Sequence, residues 1–190
     1  MYYCDYIKTI SGETLKLHSD YHDNHYGFPI YSDDELFGRL ILEINQAGLN
    51  WLLILKKQEN FRKAFDGFSV DAVAAYGDED FNRLMNDKGI IRNRLKINAA
   101  IENARKIKEL IKEYGSFAAW LELQSENCKT LKEWTKLFKK TFRFTGGEIV
   151  NEFLMSIGYL PGAHSPECPA AEKIESLKNE HEKKRQGNKR

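Results

Sequence analysis

Glu43 and Trp51 stand on either side of a tight corner in the stretch SDDELFGRLILEINQAGLNW, residues 32–51. Leu36, Leu40, Glu43 and Ala47 recur at steps of four, three and four, which puts them on one face of a helix. Three of these positions are apolar or small, and the fourth is a carboxylate. A carboxylate on an inward face costs free energy unless it is hydrogen-bonded, neutralised or turned to a cavity. Two readings follow. Glu43 is either a structural residue bonded to nearby backbone, with Trp51 in the core, or part of a functional site.

A second group combines a turn with cations. Asp87-Lys88-Gly89-Ile90-Ile91 is a tight apolar hairpin between two helical patterns, and Arg92, Arg94 and Lys96 follow it. Such a turn presents backbone N–H groups and the next helix's N-terminus, both suited to a phosphate. The surrounding charge agrees. Residues 88–112 hold eight bases against two acids, and residues 1–35 hold seven acids against two bases, while the net charge is only +1. A near-neutral chain with a basic middle fits a local polyanion site, so Gly89, Ile90, Arg92, Arg94 and Lys96 are candidate DNA contacts. The alternative is an ordinary helical hairpin with a solvated basic face.

His164 and Cys168 lie four apart among Gly162, Pro166 and Pro169, half of a tetrahedral metal site. Cys4 and His22 near the other end could complete it, with His18 and His25 as rival ligands that spacing does not exclude. Four protein ligands would make the metal structural.

The elements that must position these residues follow from caps and periodicity. Ser32 with Glu35 three residues later opens a helix in the manner of a capping box. Gly48 ends it, and Asn50 caps the next, which runs to Asp66-Gly67. Short helices are expected over SVDAVAAYG and DEDFNRLMND. Ile97, Ile101, Ala104, Ile107 and Ile111 trace a long helix stopped by Gly115. SFAAWLEL, TLKEWTKLFKK and a final apolar EIVNEFLMSIG complete a helical body. Residues 1–31 lack a 3.6-residue period and read as an irregular arm with short strand-like pieces, and residues 170–190 as a charged tail, either a frayed helix or disordered. One domain over residues 1–169 is expected: arm 1–31, body 32–160 and a ligand loop 161–169.

The chain has 190 residues, 42% of them hydrophobic and 12% aromatic, enough for a folded core. No apolar run approaches the ~20 residues of a membrane span. MYYCDYIK is not a secretory signal, and three scattered cysteines are not a disulfide framework, so a cytoplasmic monomer is expected.

Taken together, Cys4, YHDNHYGFP, LEINQAGLNWLLILKKQENFRKAF, GIIRNRLKINAAIENA, FRFTG and His164-x-x-x-Cys168 resemble the type I 3-methyladenine DNA glycosylases of the helix-hairpin-helix superfamily. The resemblance spans residues 4–168. It implies an all-helical fold, a structural zinc on Cys4, His22, His164 and Cys168, and excision of 3-methyladenine from alkylated duplex DNA. It further implies that Glu43 recognises the base, Tyr21 bonds or stacks on it, Trp51 walls the pocket, and Tyr6 and Tyr26 add aromatic surface. Tyr26 stands where members usually have tryptophan, His18 where a tyrosine is common, and Thr141 and Gly147 depart from the pattern around FRFTG. These departures bear on substrate range, and they keep open a relative that binds damaged DNA without excising a base. A zinc-stapled helical interaction domain is the third reading.

Overall fold

A computed structural model describes residues 2–187. Eleven helices are seen among the described residues: α1 (Tyr3–Ile7), α2 (Gly12–Asn24), α3 (Asp33–Gln46), α4 (Trp51–Ala64), α5 (Val70–Ala74), α6 (Asp78–Asn86), α7 (Arg94–Tyr114), α8 (Phe117–Asn127), α9 (Leu131–Thr141), α10 (Gly147–Ser156) and α11 (Pro169–Gly187). A 3-10 turn, Asp66–Phe68, joins α4 to α5. No strand occurs among the described residues, so the expected all-helical class is borne out. No helix among them is long and apolar enough to cross a membrane.

The described residues fall into two compact units, one from both ends of the chain (Met1–Pro29 with Leu154–Arg190) and one continuous (Ile30–Phe153). In the continuous unit α3 is the central rod. It contacts α4, α5, α7 and α8, and every residue from Leu36 to Asn45 is buried. The sequence shows one inward face, whereas the helix is enclosed all round. Its first turn explains how it is held. Ser32 Oγ accepts from the Glu35 N–H at 3.5 Å, and the Glu35 carboxylate pairs with both Arg62 nitrogens at 2.9 Å. Asp33 accepts from the Ala118 N–H of α8 (3.1 Å) and Asp34 from the Val70 N–H of α5 (2.8 Å). The first-turn acids Asp33 and Asp34 thus cap two neighbouring helices.

Gly38 lets α3 approach the 3-10 turn: a Cβ there would lie 2.4 Å from Phe68 Cδ2. Phe68 is itself fixed at φ +66° and buried, so its ring has little room to yield. Gly38→Ala is expected to destabilise the protein by about 2 kcal/mol, read as a lower denaturant midpoint at unchanged slope. An unchanged midpoint would show that the ring moves aside freely.

The other unit corrects one expectation and, of the two alternatives for the tail, bears out the helix. Residues 1–31 are not an irregular arm, because α1 and α2 occupy most of them. The buried face of α2 is His18, Tyr21 and His22, spaced three and one, so a helical period is present but carried by polar aromatics rather than aliphatics. Residues from Pro169 to Gly187 form α11, seated through Ala170 and Ile174 against Cys4, Phe28 and Cys168. Proline at its first position and a spacing of four between its two buried residues are the helix signals that the surrounding charge obscures. Lys178 Nζ donates to the Gly158 carbonyl at 2.8 Å, and Lys173 Nζ lies 5.3 Å from the Phe28 ring centre. The last three residues of the charged tail lie outside the described residues.

Candidate functional site

Glu43 sits one turn before the end of α3, with 4% of its surface exposed. Among the described residues no hydrogen-bond donor reaches its carboxyl. Burial pushes its pKa up to about 8, the charge of Arg39 offsets part of that rise, and Glu152 adds to it. Burial thus favours the protonated form of Glu43. Four residues on, α3 gives way to the corner: Gly48 takes φ +76°, the Leu49 N–H donates to the Gln46 carbonyl (2.7 Å), and Asn50 Oδ1 accepts from the Leu52 N–H (2.7 Å) to start α4 at Trp51. Trp51 is half-buried.

Lys96 anchors this corner. It is 4% exposed, and its ammonium donates to the carbonyls of Asn45 (2.9 Å) and Ala47 (2.7 Å), the unspent acceptors at the C-terminus of α3. Burial lowers its pKa. Arg92 and Arg94, expected beside Lys96 on one surface, are exposed, whereas Lys96 points inward. Sequence alone cannot separate the two cases, since a lysine on the first turn of a helix has the same composition signal whether it faces phosphate or carbonyl.

The turn ahead of α7 is held from below. Lys57 Nζ donates to the carbonyls of Lys88 (3.0 Å) and Gly89 (2.9 Å), and the Gly89 N–H donates to Asp87 Oδ1 (2.7 Å). Ile90 is buried and fixes the turn's apolar side. Asn93 Oδ1 accepts from the N–H groups of Leu95 and Lys96, and so occupies part of the helix end that the sequence leaves open to an anion.

In the unit built from both ends, Tyr21 and Tyr26 are buried with ring centres 5.6 Å apart. Tyr6 is half-buried. Tyr3, absent from the sequence reading, is the hub of this cluster, 6.1 Å from Tyr6, 6.0 Å from Tyr21 and 5.2 Å from Tyr26 between ring centres. Its hydroxyl is bonded to His18 Nδ1, and burial raises its pKa. Its position next to Cys4 was the available signal, because a metal ligand carries its neighbours into a fixed interior.

Cys4, His22, His164 and Cys168 bring their ligand atoms within 4.8 Å of one another. Cys4 Sγ lies 3.2 Å from His22 Nε2 and 3.6 Å from His164 Nδ1, Cys168 Sγ is 3.6 Å from each of the same nitrogens, and the two nitrogens are 3.1 Å apart. The opposite ring nitrogens are engaged: His22 Nδ1 with Asp23 Oδ1 and His164 Nε2 with the Tyr26 carbonyl, both at 2.7 Å. Those outer bonds fix each tautomer with its lone pair turned to the cluster. Burial alone would raise the Cys4 thiol, but its contact with His22 and the hydrogen bond from the Ser165 N–H bring it below its ordinary value. The arrangement can hold a metal ion. The rival ligands are otherwise engaged, His18 by Tyr3 and the exposed His25 beside Asp20 at 3.9 Å.

A family model described as methyladenine glycosylase matches residues 12–137. The chain belongs to that family. It is 36% identical over 159 residues to DNA-3-methyladenine glycosylase 1 of Escherichia coli strain K12, covering 75% of this chain and 85% of that one. It is 32% identical over 170 residues to DNA-3-methyladenine glycosylase of Haemophilus influenzae, covering 80% and 91%. A crystal structure of a variant 3-methyladenine DNA glycosylase I in complex with 3-methyladenine superposes with a TM-score of 0.76 at 30% identity, covering 86% of this chain and 95% of that one. The Staphylococcus aureus enzyme, whose structure concerns 3-methyladenine recognition, gives 0.73 at 32% identity, covering 81% and 90%. The expected glycosylase family and its base-excision activity are thereby borne out. As a methyladenine glycosylase, the chain carries the buried Glu43 and the metal-competent cluster on different units.

Proposed function

We propose that this methyladenine glycosylase hydrolyses the N-glycosidic bond of 3-methyladenine in alkylated duplex DNA, with Glu43 as the base-recognising group. The observation that carries the reading is the buried Glu43 carboxyl near the end of an enclosed helix, where burial raises its pKa. Methylation at N3 leaves adenine cationic while it is still joined to the sugar. Such a base pulls Glu43 toward its ionised form and gains a charge-assisted contact that neutral adenine does not. Tyr21 hydrogen-bonds or stacks on the base, Trp51 walls it, and Tyr6 and Tyr26 add electron-rich ring surface for a cation.

The target leaves the base stack before cleavage, which is cheaper for a damaged base. The C1′–N9 electron pair departs with the base, which leaves neutral because it was already cationic. Positive charge develops on the sugar, water adds at C1′, and its proton goes to solvent. Glu43 contributes electrostatically and by orienting the base. The Lys96 ammonium is committed to two carbonyls, which supports a monofunctional hydrolase in which it is no amine nucleophile.

The segment from α6 to α7 serves as the helix-hairpin-helix, with Gly89, Ile90, Arg92 and Arg94 against the DNA backbone and Lys96 acting through the corner of α3. We assign a structural zinc to Cys4, His22, His164 and Cys168. Tetrahedral bonds of about 2.3 Å to sulfur and 2.05 Å to nitrogen imply spans of roughly 3.3–3.8 Å between ligand atoms, close to those of this cluster. Four protein donors leave the metal no position for substrate. Two buried thiols without a disulfide fit a cytoplasmic enzyme.

The test is release of free base from methylated duplex DNA by the wild-type protein. Release of 3-methyladenine is expected. No release with DNA binding retained would instead make the protein a binder of damaged DNA.

A further inference from the structure

Phe144 is a large apolar side chain that the continuous unit keeps outside. It is 38% exposed, and its φ of +59° is a conformation that bulky L residues rarely adopt. The turn that holds it is gripped by a buried side chain: Asn103, 1% exposed, accepts from the Arg143 N–H at 2.7 Å and donates to the Arg143 carbonyl at 3.1 Å. A strained backbone fixed by an interior amide, with its ring in solvent, is a pre-set presentation rather than a loose loop.

Beside the ring lies a cleft of about 440 Å³ lined by Lys139, Phe142, Arg143, Phe144, Thr145 and Ile149, among others. Phe142 is buried against Trp120 and Phe138 and makes a firm floor. Lys139 and Arg143 are exposed at the cleft, with Arg143 Nε 2.8 Å from Glu102. The turn adjoins the corner that ends the Glu43 helix: the Lys96 ammonium bonds the Ala47 carbonyl and lies 5.8 Å from the Phe144 ring centre.

An exposed flat ring, an apolar floor and two cations around one cleft match a nucleotide within a DNA strand. The base stacks on the ring, and its flanking phosphates meet the cations. We propose that Phe144 and its cleft form a nucleotide-binding subsite for duplex DNA near the target base, with Arg143 on the strand's phosphate; this deepens, and rests on, the glycosylase reading.

Binding is measured by fluorescence anisotropy on a duplex containing a tetrahydrofuran abasic-site analogue and on the same duplex undamaged, with Tm recorded for each variant. Phe144→Ala is expected to weaken binding to the abasic duplex about tenfold with an unchanged salt slope, and Phe144→Trp to stay within about twofold of wild type. Arg143→Ala is expected to flatten the slope of log K against log[salt] by roughly one. Equal affinity of Phe144→Ala and wild type overturns the subsite, as does failure of Phe144→Trp to rescue binding. Should Phe144→Ala not fold, an unchanged salt slope in Arg143→Ala overturns it in its place. Wild type that binds neither duplex overturns the glycosylase reading itself.

Discussion

Replacing Glu43 by glutamine is expected to cut release of 3-methyladenine from methylated duplex DNA by roughly 100-fold or more, while making the folded protein more stable at alkaline pH. Glutamine keeps the shape of the side chain but cannot become an anion, so the attraction specific to a cationic base is lost. The stability effect has a definite sign. Below pH 4.5 Glu43 is protonated in both folded and unfolded chains. Between pH 4.5 and about 8 the folded chain keeps a proton that the unfolded chain has released. Stability is therefore lost as pH rises through that window and levels off above it. The wild type gives up on the order of a few kcal/mol across the window, and the glutamine variant does not. Thermal melts of both proteins at pH 5 and pH 8.5 should show the variant's advantage growing with pH. A constant difference would mean that Glu43 is not a buried acid in solution, and undiminished base release would remove it from the recognition step.

The second large effect concerns the cluster of Cys4, His22, His164 and Cys168. Purified protein is expected to contain about one zinc per chain. Chelation, or Cys168→Ser, is expected to lower Tm by more than about 10 °C, since a structural zinc contributes many kcal/mol and each is worth about 2–4 °C in a chain of this size. Metal analysis and melts with and without chelator check this. Metal-free protein whose melting does not respond to added zinc would show that the four side chains simply bond one another.

How far the sequence could be read depended on which forces write themselves locally. The caps at Ser32 and Asn50 and the stop at Gly115 are short-range chemistry, and all three act where expected. The stripe from Ile97 to Ile111 needs only the helical period to be seen. The helices of residues 3–24 were missed because their inward faces are tyrosine and histidine, one of which, His22, meets His164 from the far end of the chain. The same holds for α11, whose two apolar contacts make sense only against Phe28 and Cys4. Glu43 was legible as a carboxylate on an apolar face, but its near-neutral state was not, since that depends on Arg39 and Glu152 and on complete enclosure. Lys96 carries the opposite lesson: its charge is plain in the sequence, and its use is internal.

The distance along the chain between Cys4 and Cys168 sets an order of events during synthesis. At about 5–20 residues per second, the ribosome needs roughly 10–30 s to travel from one cysteine to the other. The continuous unit, Ile30–Phe153, is made complete within that interval and has all of its own residues with which to fold. The other unit has only its first half until Leu154 and the residues after it emerge. During that wait Cys4 is a thiol with its sulfur partner unmade, open to oxidation or to a stray metal. The nascent enzyme thus acquires the helix that bears Glu43 before it acquires the tie between its ends.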